Sequence, residues 1–219
     1  MKIARKLVGY TGPGLVLQEL LYGFIMALIF VSAAQFEIMH FSSNTDLILA
    51  IIGMNTAWGI VDMVIFSLVD RFDQREYVRI IESKEDVDDE YIKKLIHYNL
   101  SGTLIDVLDE KDEIRIVKEI LRSRLEPEED LKKERRSLYI GNFLCFVYTI
   151  STVIPVSIPL LLIEDMGTAC LWSSLVSAAF MFLIGYLMHE YTGVNKWLMG
   201  LIVASIGMGI TFLALILGG

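Results

Sequence analysis

Cysteine is nearly absent. Cys145 and Cys170 are the two in 219 residues, both fall in or beside apolar runs, and no CxxC spacing occurs. A disulfide framework and a thiolate zinc site are thereby excluded, and both thiols read as packing residues. Positive charge is short as well: 19 Lys and Arg stand against 27 Asp and Glu, a net charge of -8. A nucleic-acid binder shows a basic face, so no nucleic-acid partner is expected. No glycine-rich phosphate loop and no visible pairing of nucleophile with base occurs, which argues against an ATPase or a hydrolase. The chain is therefore read as no enzyme and as needing no organic cofactor. After Lys2, Arg5 and Lys6 the apolar run is not followed by a small-residue cleavage site, so it reads as a retained span and not a signal peptide.

What is present is apolar sequence in long blocks. Hydrophobic residues make up 54% and the mean hydropathy is +0.55. Five runs, residues 14–34, 47–69, 138–163, 168–188 and 197–217, are each long enough to cross a hydrocarbon core of about 30 Å. The expected fold is all-α: a polytopic membrane protein with five transmembrane helices and a helical cytoplasmic insert between helices two and three. Its divisions are residues 1–70 (N-terminal segment and helices one and two), 71–137 (acidic helical domain) and 138–219 (helices three to five). Three basic residues precede the first span, fifteen lie in the insert and Lys196 joins spans four and five; the other connections carry only Glu37, Asp46, Glu164 and Asp165 as charges. This asymmetry places the N-terminus and the insert in the cytoplasm and the C-terminus outside. Trp172 and Trp197 fall at opposite interfaces, whereas Trp58 does not and is expected to be buried against neighbouring helices.

The insert holds 15 basic and 19 acidic side chains. Its strongest helical pattern runs from about Asp89 to Leu108, and a second places Ile114, Val117, Ile120, Leu121 and Leu125 on one face before Pro127. A helix from Asp73 to Glu85 is expected to continue unbroken from span two. Its acids are clustered, and Glu82, Glu85, Asp109, Glu110 and Glu113 are candidates to share a hard divalent cation, because carboxylates three or four apart converge. The alternative is that they cap helices and solvate a surface, since acids are favoured at helix starts in any case.

The residue that most resists a purely structural reading is Asp62. It lies eight residues inside the exit at Asp70, about 12 Å into the apolar span. An aspartate at mid-membrane costs about 3 kcal/mol even on insertion-based scales, so such residues face a bundle interior or a wet cavity and often mark an ion path. Asn55, seven residues earlier, shares its face, with Gly59 between them leaving room for another helix or a ligand. The plainer alternative is a polar pair that locks two helices together.

The order of parts resembles the vacuolar iron transporter family of divalent-metal/proton exchangers. IPVSIPLLLI in span three, FLIGYL in span four and LMGLIVASIGMGITFLALILG in span five look like that family's paired-proline, Gly-Tyr and Gly-rich closing helices. In span one, ELLYGFIMAL is similar to the family's Glu followed seven residues later by Asp-Gly: Glu19 matches the Glu, while Met26 and Ala27 replace the pair. In span two, DMVIFSLVDRFDQRE places Met63 on the family methionine and Ser67 where its membrane glutamate stands, with Asp62 one position before the methionine. The resemblance implies a homodimer in the lipid bilayer, an ion path lined by carboxylates and methionines of spans one and two, and insert glutamates that collect iron.

On that footing, Glu19 lies about 7 Å inside the cytoplasmic end of span one and can meet Asp62. Glu19, Met26, Asn55, Asp62 and Met63 together make a sparse site for a transition metal, Fe2+ or Mn2+, as substrate. The methionines taken alone are more readily read as core fillers. The expected function is transport of divalent transition metal ions in exchange for protons, out of the cytoplasm. The alternative is a non-transporting sensor or scaffold whose acidic cytoplasmic domain binds a metal or a protein. Small residues at close-packing spacing, Gly23 with Ala27, Gly200 with Ala204 and Ser205 with Gly209, are candidate dimer contacts.

Overall fold

The structure is a computed structural model that describes residues 8–82, 90, 94, 97, 107–122 and 128–217. Its main helices are α1 (Pro13–Gln35), α2 (Asn44–Glu82), α3 (Glu110–Arg122), α4 (Glu128–Ser151), α5 (Val153–Leu162), α6 (Met166–Thr192) and α7 (Lys196–Ile216). No strand occurs among the described residues. Five stretches are long and apolar enough to cross a membrane: Pro13–Gln35, Asn44–Arg75, Arg135–Leu162, Met166–Thr192 and Lys196–Ile216. The protein is an all-α polytopic membrane protein, and its spanning helices meet the lipid bilayer. Helix α2 continues from its apolar part to Glu82 as one element.

Local chemistry sets the helix ends. Gly12 adopts φ +78° and Pro13 takes the first helical position of α1, where its missing N–H costs nothing. At the other end, Glu37 sits at φ +56°. Its N–H reaches the Ala34 carbonyl at 3.2 Å and the Ile38 N–H reaches Ala33 at 2.8 Å, the paired reverse bonds of a Schellman stop with a glutamate in the usual glycine place. Asp165 caps α6 by accepting from the Thr168 N–H at 2.8 Å, and Asn195 caps α7 by accepting from the Trp197 N–H at 3.0 Å. The Thr168 hydroxyl and then its N–H hold the exposed Asp165 carboxyl below the usual aspartate range.

The third span, expected to be continuous, is interrupted at Thr152 between α4 and α5. Pro155 brings no N–H to the Ser151 carbonyl and its ring crowds that carbonyl, so the regular ladder cannot run through. Thr152 N–H contacts Thr149 O at 3.4 Å, one residue closer than an α-helical bond.

The chain divides into two compact units, Met1–Ser67 with Arg136–Gly219, and Leu68–Arg135. In the first, Phe24, Leu28, Val31, Leu47, Ile51, Val156, Leu160 and Met181 form the buried apolar core, with the Phe24 and Phe180 rings stacked at 5.7 Å. Helices α6 and α7 approach through glycine: a Cβ on Gly185 would meet Met199 O at 2.6 Å and Val203 Cβ at 2.8 Å, and one on Gly200 would meet the Phe182 ring at 2.7 Å. In the second unit, α3 buries Val117, and Asp109 accepts from the Asp112 N–H at 2.9 Å at the helix start.

Two expectations change. Trp58 is not buried: it is 43% exposed. The Gly23 and Ala27 pair is used inside the chain, since a Cβ on Gly23 would lie 2.7 Å from Thr149 O and Ala27 is fully buried. Gly200 likewise packs within the chain, whereas Ser205 and Gly209 remain on an exposed face.

Candidate functional site

The first and second spans bring Glu19 and Asp62 together. Glu19 is fully buried on α1, and its carboxyl lies beside that of Asp62 on α2. The Thr149 hydroxyl, from α4, donates to Glu19 Oε2 at 2.6 Å. The Trp58 indole N–H lies near the Asp62 carboxyl from one helical turn away. The remaining oxygens, Glu19 Oε1 and Asp62 Oδ2, are buried and receive no N–H or hydroxyl hydrogen bond among the described residues, while the two carboxyls are within hydrogen-bond reach of each other.

Asn55 sits two turns up α2 on the same side and is fully buried. Its Nδ2 is directed to Gly23 O at 3.1 Å, Thr149 O at 3.3 Å and Thr152 Oγ1 at 3.0 Å. Thr152 Oγ1 in turn donates to Thr149 O at 2.7 Å. The break in span three is therefore held by one amide reaching from α2, and glycine at position 23 is what lets α1 approach closely enough to share it. Asn55 Oδ1 is left buried without a partner. Three acceptor oxygens, on Glu19, Asn55 and Asp62, thus belong to one connected polar cluster and lack donors. Leaving a buried acceptor unmade costs about 1–3 kcal/mol, and more for a charge.

The sulfur candidates are less engaged. Met26 and Met63 are each half-buried, on α1 and α2. Tyr22, three residues after Glu19 on α1, is 39% exposed. Ser67, which stands in place of a carboxylate, is accounted for by neutral bonds: it donates to Met63 O at 2.8 Å and accepts from Asn142 Nδ2 at 3.2 Å. No group of three or more His, Cys, Asp or Glu side chains converges among the described residues.

Of the candidates in the insert, Asp109 caps α3 and is exposed, as is Glu110, while Glu113 is half-buried in the first turn of that helix. Asp112 pairs with Arg115 at 2.7 Å. Glu82 closes α2, but its side chain lies outside the described residues, as do Glu85 and most of the Asp89 to Leu108 stretch.

Sequence reasoning missed Thr149 and Thr152. The signal available was two threonines three apart just before the paired prolines, where hydroxyls commonly compensate an interrupted membrane helix.

The model of the VIT family matches residues 70–219, from the end of the second span through the insert to the C-terminus. The chain belongs to the VIT family. That places it in a family of membrane metal-ion transporters. No curated protein and no solved structure matches the chain. The match leaves out α1 and most of α2, the elements that carry Glu19, Asn55 and Asp62.

Proposed function

We propose that this VIT-family protein transports divalent transition metal ions, Fe2+ or Mn2+, across the membrane in exchange for protons. The observation that carries the reading is the carboxyl pair of buried Glu19 and half-buried Asp62, each with a buried oxygen that no N–H or hydroxyl satisfies. Two carboxylates side by side away from water repel, so the pair is stable only with positive charge between them. A metal ion and protons are alternative ways to supply it, and that alternation is the chemistry of an exchanger.

Glu19 Oε1, Asp62 Oδ2 and Asn55 Oδ1 would be the oxygen ligands, with the sulfurs of Met26 and Met63 as softer contributors that favour a transition metal over Mg2+ or Ca2+. The direction is export from the cytoplasm, with the N-terminus and residues 71–137 on the cytoplasmic side and the C-terminus outside, following the distribution of basic residues. The three divisions at 1–70, 71–137 and 138–219 then correspond to an ion-path pair of helices, an acidic cytoplasmic domain and a packing scaffold. Glu82, Glu85, Asp109, Glu110 and Glu113 would gather cations at the cytoplasmic side. Assembly is as a homodimer in the membrane, for which the exposed Ser205 and Gly209 offer a close-packing stripe.

A second reading, a non-transporting scaffold or sensor, draws on one observation: the family match begins at residue 70, and Met26 and Ala27 replace the expected Asp-Gly pair. Flux in proteoliposomes across Fe2+, Mn2+, Co2+ and Zn2+, with and without a pH gradient, separates the two. Metal-dependent proton movement supports the exchanger; no flux of any of the four ions on correctly folded protein supports the scaffold.

A further inference from the structure

We propose that Thr149 is a positioning residue that sets the ion preference of the Glu19 site by leaving one carboxyl oxygen, Oε1, to face the ion. This rests on the reading of Glu19 as a transport ligand. Thr149 is fully buried and donates to Glu19 Oε2 at 2.6 Å, a length typical of a hydroxyl bonded to a carboxylate. Its hydroxyl also lies 3.1 Å from Cys145 O, the carbonyl one turn back, but it has one hydrogen to give and the carboxylate is the stronger and nearer acceptor. Oε1 remains buried and without a donor.

Thr149 is itself fixed. Its carbonyl receives the Asn55 amide at 3.3 Å and the Thr152 hydroxyl at 2.7 Å, so its backbone is pinned at the interruption of span three. The carboxyl of Glu19 is consequently held from a second helix, 130 residues away in sequence, and not only by its own rotamer. The result is a carboxylate that approaches an ion through a single oxygen.

The number of oxygens decides selectivity. Ca2+ takes six to eight oxygen ligands and readily uses both oxygens of a carboxylate, whereas smaller transition ions are satisfied with fewer and accept softer partners. A site of Oε1, an Asp62 oxygen and the Asn55 oxygen is too sparse for Ca2+. Freeing Oε2 lets Glu19 bind through both oxygens and shifts the balance toward Ca2+. Outer partners that orient ligands are typically worth about 10–100-fold in metal affinity.

The test uses two matched pairs that differ in the hydroxyl: wild type against Thr149→Val, and Thr149→Ser against Thr149→Ala. Mn2+ flux in proteoliposomes is read as KM and Vmax, with Ca2+ as competitor, on protein whose folding is checked by melting in detergent. Loss of the hydroxyl should raise KM for Mn2+ about tenfold or more with Vmax within about threefold, and strengthen inhibition by Ca2+. Serine should restore both values toward wild type. Equal KM and equal Ca2+ inhibition within either pair would overturn the proposal, and the serine and alanine pair decides it if valine prevents folding. Glu19→Gln separates the two layers. If it abolishes flux while the hydroxyl pairs behave alike, Thr149 is not the positioning residue; if flux survives in Glu19→Gln, the transport reading fails and this inference falls with it.

Discussion

The two sides of the membrane unit are held by opposite means. Where α6 meets α7, the helices touch through Gly185 and Gly200, which pack against Met199, Val203 and the Phe182 ring. Where α1, α2 and α4 meet, the contact is polar: Glu19, Asn55, Asp62, Thr149 and Thr152 sit in a connected cluster with three oxygens unsatisfied. Packing of the first kind contributes stability and asks nothing of a ligand. The second kind leaves buried acceptors unsatisfied, which costs stability. The family match covers all of the first side and leaves out α1 and most of α2, which carry Glu19, Asn55 and Asp62.

That contrast can be broken most sharply at Gly185. A valine there would drive its side chain into the Met199 backbone and the Val203 side chain, neither of which can move cheaply. Overpacking of this sort costs about 1–3 kcal/mol, so Gly185→Val should lower the melting temperature in detergent clearly. Gly209→Val, with nothing within 4 Å of its Cβ, should leave monomer melting unchanged. Equal effects at the two positions would contradict the packing account.

The polar side should respond next. Asn55→Leu removes the amide that serves Gly23 O, Thr149 O and Thr152 Oγ1, and should destabilise by about 2 kcal/mol while also lowering flux. This sets Asn55 apart from Glu19 and Asp62: it acts as both brace and candidate ligand, so a loss of flux without a loss of stability would mean that the clasp is not structural. The smallest effect is expected at Asp165, whose carboxyl is held below its usual range by the Thr168 hydroxyl and N–H. A depressed acid contributes above its unfolded value and loses that contribution as pH falls through its folded value. Melting temperature should therefore drop as pH falls below the ordinary aspartate range, about 4, in wild type more than in Asp165→Asn, which caps without a charge. Identical pH profiles would remove the cap from the account.

Much of this architecture is legible in the sequence, for identifiable reasons. The five spans follow from apolar runs too long for any soluble core, and Asp62 stands out because an acid deep in such a run has no cheap explanation. Small-residue spacing is less informative: Gly23 with Ala27 says that a helix comes close, but not which one, and the neighbour proved to be the broken third span of the same chain. The spacing of Thr149 and Thr152 before the prolines hints at a compensated helix break, but nothing in the sequence says that Thr149 meets Glu19 until the fold places it there. Trp58 misled for a related reason, since an aromatic away from the interface reads as core, whereas here it is 43% exposed with its N–H near Asp62.

The central claim is that Glu19 and Asp62 form one ion site, and the most direct test is Mn2+ and Fe2+ flux in Asp62→Asn, Glu19→Gln and the double variant, beside wild type shown to be active. Both substitutions keep shape and remove charge, so insertion and melting should stay close to wild type. Each single variant should lose at least about tenfold in flux, and the double should be no worse than the poorer single, because two groups of one site do not add. Wild-type flux in Asp62→Asn, or losses in the two singles that multiply in the double, would contradict a shared site.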